Sequence, residues 1–292
     1  MRKISLSRKY ARWGWIFVSP AALLIFVLSF YLMIQAFILS LQSGMGNNLR
    51  FTGLRNYFRL LQDEVFRSSV ANVFTYLVIQ VPIMLFLALV LASVLNSKDL
   101  KGKTAFRTMV FLPCATALVS SALIFRSFFS LDGIVNFVLI RTNVINVPVS
   151  WLTDPFWAKF VIILIMTWRW TGYNTIFYLA GLQNIDSSVY ESARMDGATS
   201  AQQFLYLTVP LLKPVILLTL IMSTNGTLQL FDEVRIISPG GGLKATISIS
   251  QHIYNLFFFN IPQIGYASAA SYSILVMVAI LAFIQMKIGD RA

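Results

Sequence analysis

Six long apolar stretches constrain this chain more than any other feature of its sequence. A helix that crosses a lipid bilayer needs roughly 20 mostly apolar residues. Because only helices and closed barrels satisfy their backbone hydrogen bonds in lipid, the pattern predicts an all-α integral membrane protein with six transmembrane helices. The predicted spans are residues 16–39, 69–95, 109–125, 160–182, 215–231 and 266–286. The third and fifth spans are short, and the fifth is a candidate for continuation to Ile237.

The composition supports a membrane protein and argues against other classes. Hydrophobic residues make up 57% of the chain and charged residues 12%, whereas soluble domains contain about 45–50% and about 25%. The net charge of +12 would suit a nucleic-acid-binding protein. However, Lys and Arg lie between the apolar stretches and form no single basic face, so we expect no nucleic acid. One cysteine, Cys114, and one histidine, His252, exclude a disulfide within the chain and a Cys/His metal site.

The distribution of basic residues orients the predicted spans. Cytoplasmic loops of membrane proteins carry an excess of Lys and Arg. With the N-terminus inside, the cytoplasmic segments hold 13 basic residues and the outer loops hold 9. The tail of residues 1–15 and the compact loop of residues 98–107 decide the orientation. The first apolar stretch exceeds the roughly 7–15 residues of a signal peptide, so we expect it to be retained. We place both termini in the cytoplasm and assign residues 16–292 to one membrane domain.

A polar loop, residues 186–214, interrupts the apolar pattern between the fourth and fifth spans. Ser188 and Glu191 have the spacing of a capping box, and Ser200 and Gln203 repeat it. Gly197 suits the position after a helix, where the chain turns into the left-handed region. The loop is therefore predicted to form two short helices joined at Gly197, on the cytoplasmic side. An ordinary amphipathic surface loop is the competing interpretation.

The same loop resembles the "EAA" coupling loop in the membrane subunits of binding-protein-dependent ABC importers. Their pattern is E-A-A-x3-G-x9-I-x-L-P, in which this chain replaces Ala by Ser, Ile by Leu and Leu by Val. The aligned positions are Glu191, Ser192, Ala193, Gly197, Leu207, Val209 and Pro210. Outside the loop, Gly53-Leu-Arg-Asn56-Tyr57 and Ala180-Gly181-Leu182-Gln183 resemble motifs of the carbohydrate-uptake permeases in this family, of the maltose, glycerol-phosphate and oligosaccharide type.

The resemblance implies a type I ABC importer permease fold in a bacterial cytoplasmic (inner) membrane. Its members work with a second homologous permease subunit, two ATPase subunits and an extracytoplasmic solute-binding protein. The chain itself would bind membrane lipid and a sugar but no cofactor, because ATP and Mg belong to the ATPase. It would therefore not be an enzyme. The residues expected to couple to the ATPase are Tyr190, Glu191, Ser192, Ala193, Arg194, Asp196, Gly197 and Ala198. An alternative is a permease for another polar solute, such as glycerol phosphate.

Polar residues in the fourth and fifth spans are the candidates for the substrate pathway. A charge at the centre of a spanning helix is costly, and it is usually functional or paired. Sugars need polar groups for their hydroxyls and aromatic rings for their apolar faces. The candidates are Arg169, Tyr173, Ser223, Asn225, Thr227 and Gln229. Hydrogen bonding between helices, or an ion pair of Arg169 with a carboxylate on a neighbouring helix, is the competing explanation.

The sequence shows no catalytic constellation. Gly102-Lys103-Thr104 resembles the end of a Walker A loop, but Ser97 occupies the position of its first glycine and no strand precedes it. We therefore predict a basic cytoplasmic loop here and assign ATP hydrolysis to a partner. A secondary transporter would normally carry acidic groups in mid-membrane, and a membrane enzyme would need a cluster of acids, bases or metal ligands.

Overall fold

The computed structural model describes residues 3–45, 48–97, 100–237, 244–259 and 261–291. Side chains of residues 3–9, 12, 45, 48, 290 and 291 lie outside the described part of the chain, as does Lys98, and all five basic side chains of the predicted tail are among the undescribed ones. The chain divides into two compact units. The first contains Met1–Gln62 and Ile253–Ser273, and the second contains Asp63–His252 and Ile274–Ala292.

Helices dominate both units. In chain order they are α1 (Lys3–Ile25), α2 (Leu32–Ser40), α3 (Arg55–Gln62), α4 (Glu64–Asn96), α5 (Lys103–Ala115), α6 (Leu118–Phe128), α7 (Ile134–Arg141), α8 (Pro155–Gln183), α9 (Ser187–Met195), α10 (Ser200–Gln203), α11 (Val209–Leu211), α12 (Lys213–Leu228), α13 (Asp232–Ile237), α14 (Ile249–Phe258) and α15 (Ile264–Arg291). Two π-helical segments, Phe26–Tyr31 and Phe204–Thr208, join α1 to α2 and α10 to α11.

The fold is mostly helical, as predicted, and the first unit adds a small antiparallel sheet that was not predicted. Strands β1 (Gln42–Met45) and β2 (Asn48–Phe51) pair with Gln42 opposite Phe51 and Met45 opposite Asn48. Two residues, 46 and 47, separate the strands, which is the commonest spacing of a β-hairpin. The hairpin lies between the first and second predicted spans, in a segment without a long apolar stretch.

One buried amide holds the hairpin and α3 against the end of α2. The Asn56 Nδ2 atom donates to the carbonyl oxygens of Ser40 at 2.8 Å and Gln42 at 2.7 Å. Its Oδ1 atom accepts from the Ser43 hydroxyl at 2.6 Å. The Asn56 side chain thereby satisfies backbone groups that a helix end leaves without intrahelical partners. This arrangement gives the Asn56 of the Gly53–Tyr57 motif a structural role.

The second unit is built around two long helices, α4 and α8, that pack along their length. Both begin at an aspartate cap, Asp63 and Asp154, whose carboxylates accept from backbone N–H groups of the first turn. One apolar cluster surrounds Tyr76 and Ile162, and a second surrounds Met84 and Tyr178. The two clusters give the second unit a continuous packed interior on which a site can be built.

The number of membrane spans is three to five by length and composition. Three helices are long and apolar enough: Trp13–Ser40, Glu64–Asn96 and Ile264–Gly289. They match the predicted first, second and sixth spans. Two further pairs qualify if each bent pair is one span. The fourth predicted span lies within α8, which is long enough at 29 residues but polar from Trp168 to Asn174. Six transmembrane helices therefore remain a prediction.

Two predicted spans and the N-terminal tail differ in shape from the expectation. Residues 109–125 do not form one helix, because α5 and α6 meet at 96°, and Thr116 and Ala117 between them are extended. Pro113, two residues before the end of α5, weakens the helical hydrogen bonding there. In the fifth predicted span, residues 215–231, helix α12 ends at Leu228. A separate helix, α13, begins at Asp232, so the fifth span does not continue as one helix to Ile237. The predicted tail is helical from Lys3 onward and is continuous with the first span.

Candidate functional site

A cavity of about 320 Å³ lies inside the second unit, among α4, α8, α12 and the start of α13. Its wall mixes aromatic rings, aliphatic and thioether groups, amides, hydroxyls and carboxylates. The lining residues are Gln80, Met84, Leu118, Met166, Trp170, Tyr173, Asn174, Met222, Ser223, Gly226, Thr227, Gln229, Leu230, Phe231, Asp232 and Glu233. This mixture is typical of ligand sites, in which an apolar wall carries a few placed polar groups.

The structure brings four of the six predicted pathway residues to this cavity: Tyr173, Ser223, Thr227 and Gln229. Asn225 does not line it. Its side chain is exposed and its Oδ1 atom accepts from Gln229 Nε2 at 2.6 Å. Helical geometry accounts for this division, because Ser223 and Thr227 are four residues apart and share one face of α12, whereas Asn225 lies on another.

Arg169 also lies outside the lining, and its contacts match neither interpretation made from the sequence. Its Nη1 atom donates to the carbonyl oxygen of Thr116 at 2.8 Å, and its guanidinium carbon lies 5.7 Å from the Trp170 ring centroid. In the part of the chain that the structure describes, no carboxylate oxygen lies within ion-pair distance of it. Arg169 therefore satisfies a backbone carbonyl that the break between α5 and α6 leaves free.

Two carboxylates give the cavity its charge. Asp232 and Glu233 both line it, and Glu233 is 4% exposed. The Trp170 side chain and the charge of Arg169 are both near enough to Glu233 to act on its carboxyl group. Among the described residues, the lining contains no Lys, Arg or His side chain. The cavity therefore offers acidic and neutral polar groups to a ligand, and its described lining offers no cationic side chain to an anion.

Two buried amides of the wall were missing from the predicted pathway. Gln80 on α4 is 1% exposed and Asn174 on α8 is 2% exposed. Both donate toward the sulfur of Met84, at 3.1 Å and 3.6 Å. The Oε1 atom of Gln80 has no hydrogen-bond partner, and an unsatisfied buried acceptor costs about 1–3 kcal/mol. A glutamine in the middle of an apolar stretch was the signal that could have identified Gln80.

The predicted coupling loop is helical on both sides of Gly197, from Ser187 to Met195 and, with a π-helical segment inside it, from Ser200 to Leu211, but each cap lies before its predicted position. Asp186, not Ser188, caps α9, and its carboxylate accepts from the Ser188 N–H at 2.9 Å. This hydrogen bond lowers the pKa of Asp186. The second capping box uses Thr199 and Gln202 instead of Ser200 and Gln203. In both cases the helix is capped by an oxygen-bearing side chain that precedes the predicted serine, Asp186 for α9 and Thr199 for α10.

Gly197 adopts the left-handed conformation that its position predicts, with φ of +78°. The N–H of Gly197 donates to the carbonyl of Arg194 at 3.0 Å, and the N–H of Ala198 donates to that of Ala193 at 2.9 Å. These two bonds form a Schellman motif, which ends α9 and turns the chain toward α10. A Cβ atom at position 197 would meet no atom within 4 Å, so the requirement for glycine is conformational and not steric.

The eight predicted coupling residues are divided between a groove and an outer surface. Tyr190, Glu191 and Arg194 line a groove of about 590 Å³, formed with the C-terminal ends of α4 and α8. The Tyr190 hydroxyl lies 3.1 Å from that of Thr208, across the loop. The remaining five do not line this groove: Ser192, Ala193, Asp196, Gly197 and Ala198.

Two apolar side chains of the loop were missed by the sequence analysis. Met195 is 89% exposed and Tyr206 is 74% exposed. Both side chains are therefore available for contact with another molecule. In the sequence, Met195 and Tyr206 are apolar residues inside a polar segment, and this could have identified them.

Lys103 has a structural role in the second unit. Its ammonium group donates to the carbonyl oxygens of Asn96 at 3.5 Å and Ser97 at 3.2 Å. Both carbonyls belong to the C-terminal end of α4, where a cation is favoured by the helix dipole. Lys103 and Thr104 begin helix α5 and are not part of a loop, so the predicted basic loop of residues 98–107 ends at Gly102.

Comparison with known proteins identifies relatives over the whole length of the chain. The family model of the binding-protein-dependent transport system inner membrane component matches residues 101–291. The lactose transport system permease protein LacF of Rhizobium radiobacter is 51% identical, over 96% of this chain and 95% of its own length. The trehalose/maltose transport system permease protein MalF of Thermococcus litoralis is 32% identical, over 97% and 96%.

A solved structure has the same fold. It is a bacterial alginate ABC transporter in complex with an alginate pentasaccharide-bound periplasmic protein, and one of its chains matches with a TM-score of 0.83. The alignment covers 98% of this chain and 96% of that chain at 23% sequence identity. At this identity the likeness establishes the fold, and the chemistry of the cavity must be argued from its own residues.

Proposed function

Because the chain belongs to the family of binding-protein-dependent transport system inner membrane components, we propose that it forms half of a membrane pathway for a neutral sugar or oligosaccharide. The chain is a multi-pass membrane protein of an ABC importer. LacF and MalF are named for lactose and for trehalose and maltose. We propose a disaccharide of this kind as the substrate.

The cavity is the observation that carries this proposal. Tyr173 and Trp170 offer aromatic surfaces for the C–H faces of a sugar ring. Ser223, Thr227 and Gln229 offer hydroxyl and amide groups for sugar hydroxyls. Apolar walls with a few convergent polar groups are what bind and orient a small polar ligand. The two carboxylates can accept hydrogen bonds from hydroxyls, and such charge-assisted bonds are stronger than neutral ones.

The charge of the cavity disfavours a phosphorylated solute. Such a substrate would need Arg169 as its anion partner, but that guanidinium is bound to the Thr116 carbonyl and lies outside the lining. Asp232 and Glu233 would repel a phosphate. Glycerol phosphate is therefore the weaker candidate.

Membership of this family supports a proposal for the partners of the chain. We propose that a second permease supplies the other half of the pathway and that two ATPase subunits bind the loop from α9 to α11. The exposed Met195 and Tyr206, together with Glu191 and Arg194, support this surface. An extracytoplasmic binding protein would deliver the sugar, as a periplasmic protein is bound in the alginate transporter. Six spans, with both termini and the coupling loop in the cytoplasm, are the topology that we propose.

Transport by the reconstituted complex tests the substrate class. The chain is co-expressed with the partner permease and ATPase subunits that we propose and is inserted into lipid vesicles together with the binding protein. Uptake of radiolabelled lactose and glycerol 3-phosphate is then compared. We expect ATP-dependent lactose uptake, which a Thr227→Trp variant blocks while the complex still assembles. Uptake of glycerol 3-phosphate without lactose would overturn the proposal.

A further inference from the structure

Helix α3 carries an exposed apolar face that neither the cavity nor the coupling loop uses. Leu54, Phe58 and Leu61 are 59%, 64% and 68% exposed. Phe58 and Leu61 are three residues apart and lie on one side of the helix, and Leu54, the residue just before α3, lies four positions before Phe58. Clustered exposed apolar side chains mark a surface that contacts lipid or another molecule.

The opposite face of α3 is fixed, so the helix cannot rotate to hide these side chains. Asn56 and Leu60 are each 2% exposed, and Asn56 donates to the backbone of Ser40 and Gln42. The Tyr57 hydroxyl lies 2.7 Å from that of Ser40. Because these contacts hold the opposite face of α3 against the first unit, the apolar face points away from the rest of that unit.

The chain itself holds α3 at the edge of the membrane. Ser40, to which Asn56 and Tyr57 bind, is the last residue of the apolar helix Trp13–Ser40. At its other end, α3 finishes at Gln62, and the next long apolar helix begins at Glu64. A helix tied to the end of one span and joined covalently to the start of another cannot lie far from the lipid surface.

Basic side chains border the apolar face. Arg55 and Arg59 are exposed, one position after Leu54 and Phe58 respectively. The Arg59 guanidinium lies 4.2 Å from the Tyr266 ring centroid, which holds it in place. Arginine beside an apolar stripe is the pattern of a helix in the plane of the membrane interface, with cations at lipid phosphates and apolar groups in the acyl boundary.

We propose that α3 is an interfacial helix embedded in the lipid headgroup layer, with Phe58 and Leu61 inserted and Arg55 facing the phosphates. Lipid fits better than a docking protein, since the helix is tethered at both ends to spans and its apolar face is edged by cations. This anchor would fix the hairpin and α3 relative to the bilayer while other helices move.

Site-directed spin labelling tests this placement. Phe58→Cys and the matched control Arg55→Cys are made in a Cys114→Ser background, which contains no other cysteine. Each full-length chain is co-expressed with its partner subunits and inserted into phosphatidylethanolamine–phosphatidylglycerol vesicles. Collision rates of the label are measured with oxygen, which concentrates in lipid, and with a water-soluble nickel complex. We expect oxygen to dominate at residue 58 and nickel at residue 55, and Leu61→Cys to behave as residue 58 does.

Two outcomes would overturn the proposal. A label at residue 58 that collides mainly with nickel would place the apolar face in water. A nickel-accessible label that becomes shielded only when the purified solute-binding protein is added would identify a protein-docking surface instead. Leu61→Cys keeps the test decisive if Phe58→Cys disturbs the helix. The result does not depend on which solute is transported.

Discussion

Gly197→Ala should impair coupling through backbone conformation alone. Gly197 has φ of +78°, and an added Cβ would meet no atom within 4 Å, so the substitution introduces no clash. The left-handed conformation costs an L-residue about 1–2 kcal/mol. If the turn must be formed for the ATPase to engage, that cost lowers the engaged fraction by a factor of about 5–30.

Sugar-stimulated ATP hydrolysis by the reconstituted complex is the measurement, with complex assembly followed by size-exclusion chromatography. Gly197→Asn should retain more activity than Gly197→Ala, because asparagine tolerates the left-handed region better. Gly14→Ala is the matched control, because Gly14 also has open space around it but lies inside α1 without a positive φ. Full stimulated ATP hydrolysis in Gly197→Ala would refute the reasoning, as would equal losses in the Asn and Ala variants.

Three further predictions concern the loop, the cap and the cavity. Lys103→Ala should leave ATP hydrolysis by the complex nearly intact and lower the melting temperature slightly, because Lys103 serves the end of α4. A complete loss of hydrolysis would contradict this role. The lowered pKa of Asp186 means that its cap stabilises α9 above the ordinary aspartate pKa of 3.8 and is lost as the pH falls through the lowered value. Hydrogen exchange at the Ser188 amide should therefore be slow at neutral pH and accelerate in Asp186→Ala but less in Asp186→Asn. Thr227→Cys in a Cys114→Ser background should react with a small water-soluble thiol reagent, and lactose should protect it. Asn225→Cys is the control whose labelling lactose should leave unchanged.

Local signals in the sequence predicted the loop well. Gly197 carries its own conformational preference, and the capping residues satisfy N–H groups only two or three positions away. The caps were displaced because Asp186 and Thr199 compete with the serines that follow them. Such competition depends on the backbone angles at the helix start, which a spacing rule does not include.

Long-range contacts explain what the sequence did not predict. Arg169 was expected either to line the pathway or to pair with a carboxylate, yet its partner is a backbone carbonyl 53 positions earlier in the chain. That carbonyl is free only because the third apolar stretch breaks at Thr116, and composition alone does not reveal the break. Gln80 was overlooked for a related reason, since a single amide in an apolar stretch acquires meaning only when α8 packs beside it.

Helix α8 links the two parts of the candidate site mechanically. Arg169 fastens it to the break between α5 and α6, Tyr173 presents an aromatic ring to the cavity, and Gln183 ends it three residues before the cap of α9. At about 1.5 Å of rise per residue, Tyr173 lies roughly 15 Å from the C-terminal end of α8. If the ATPase moves α9 during transport, as we propose, we expect that movement to reach the cavity wall as a tilt of α8 about the Arg169 contact.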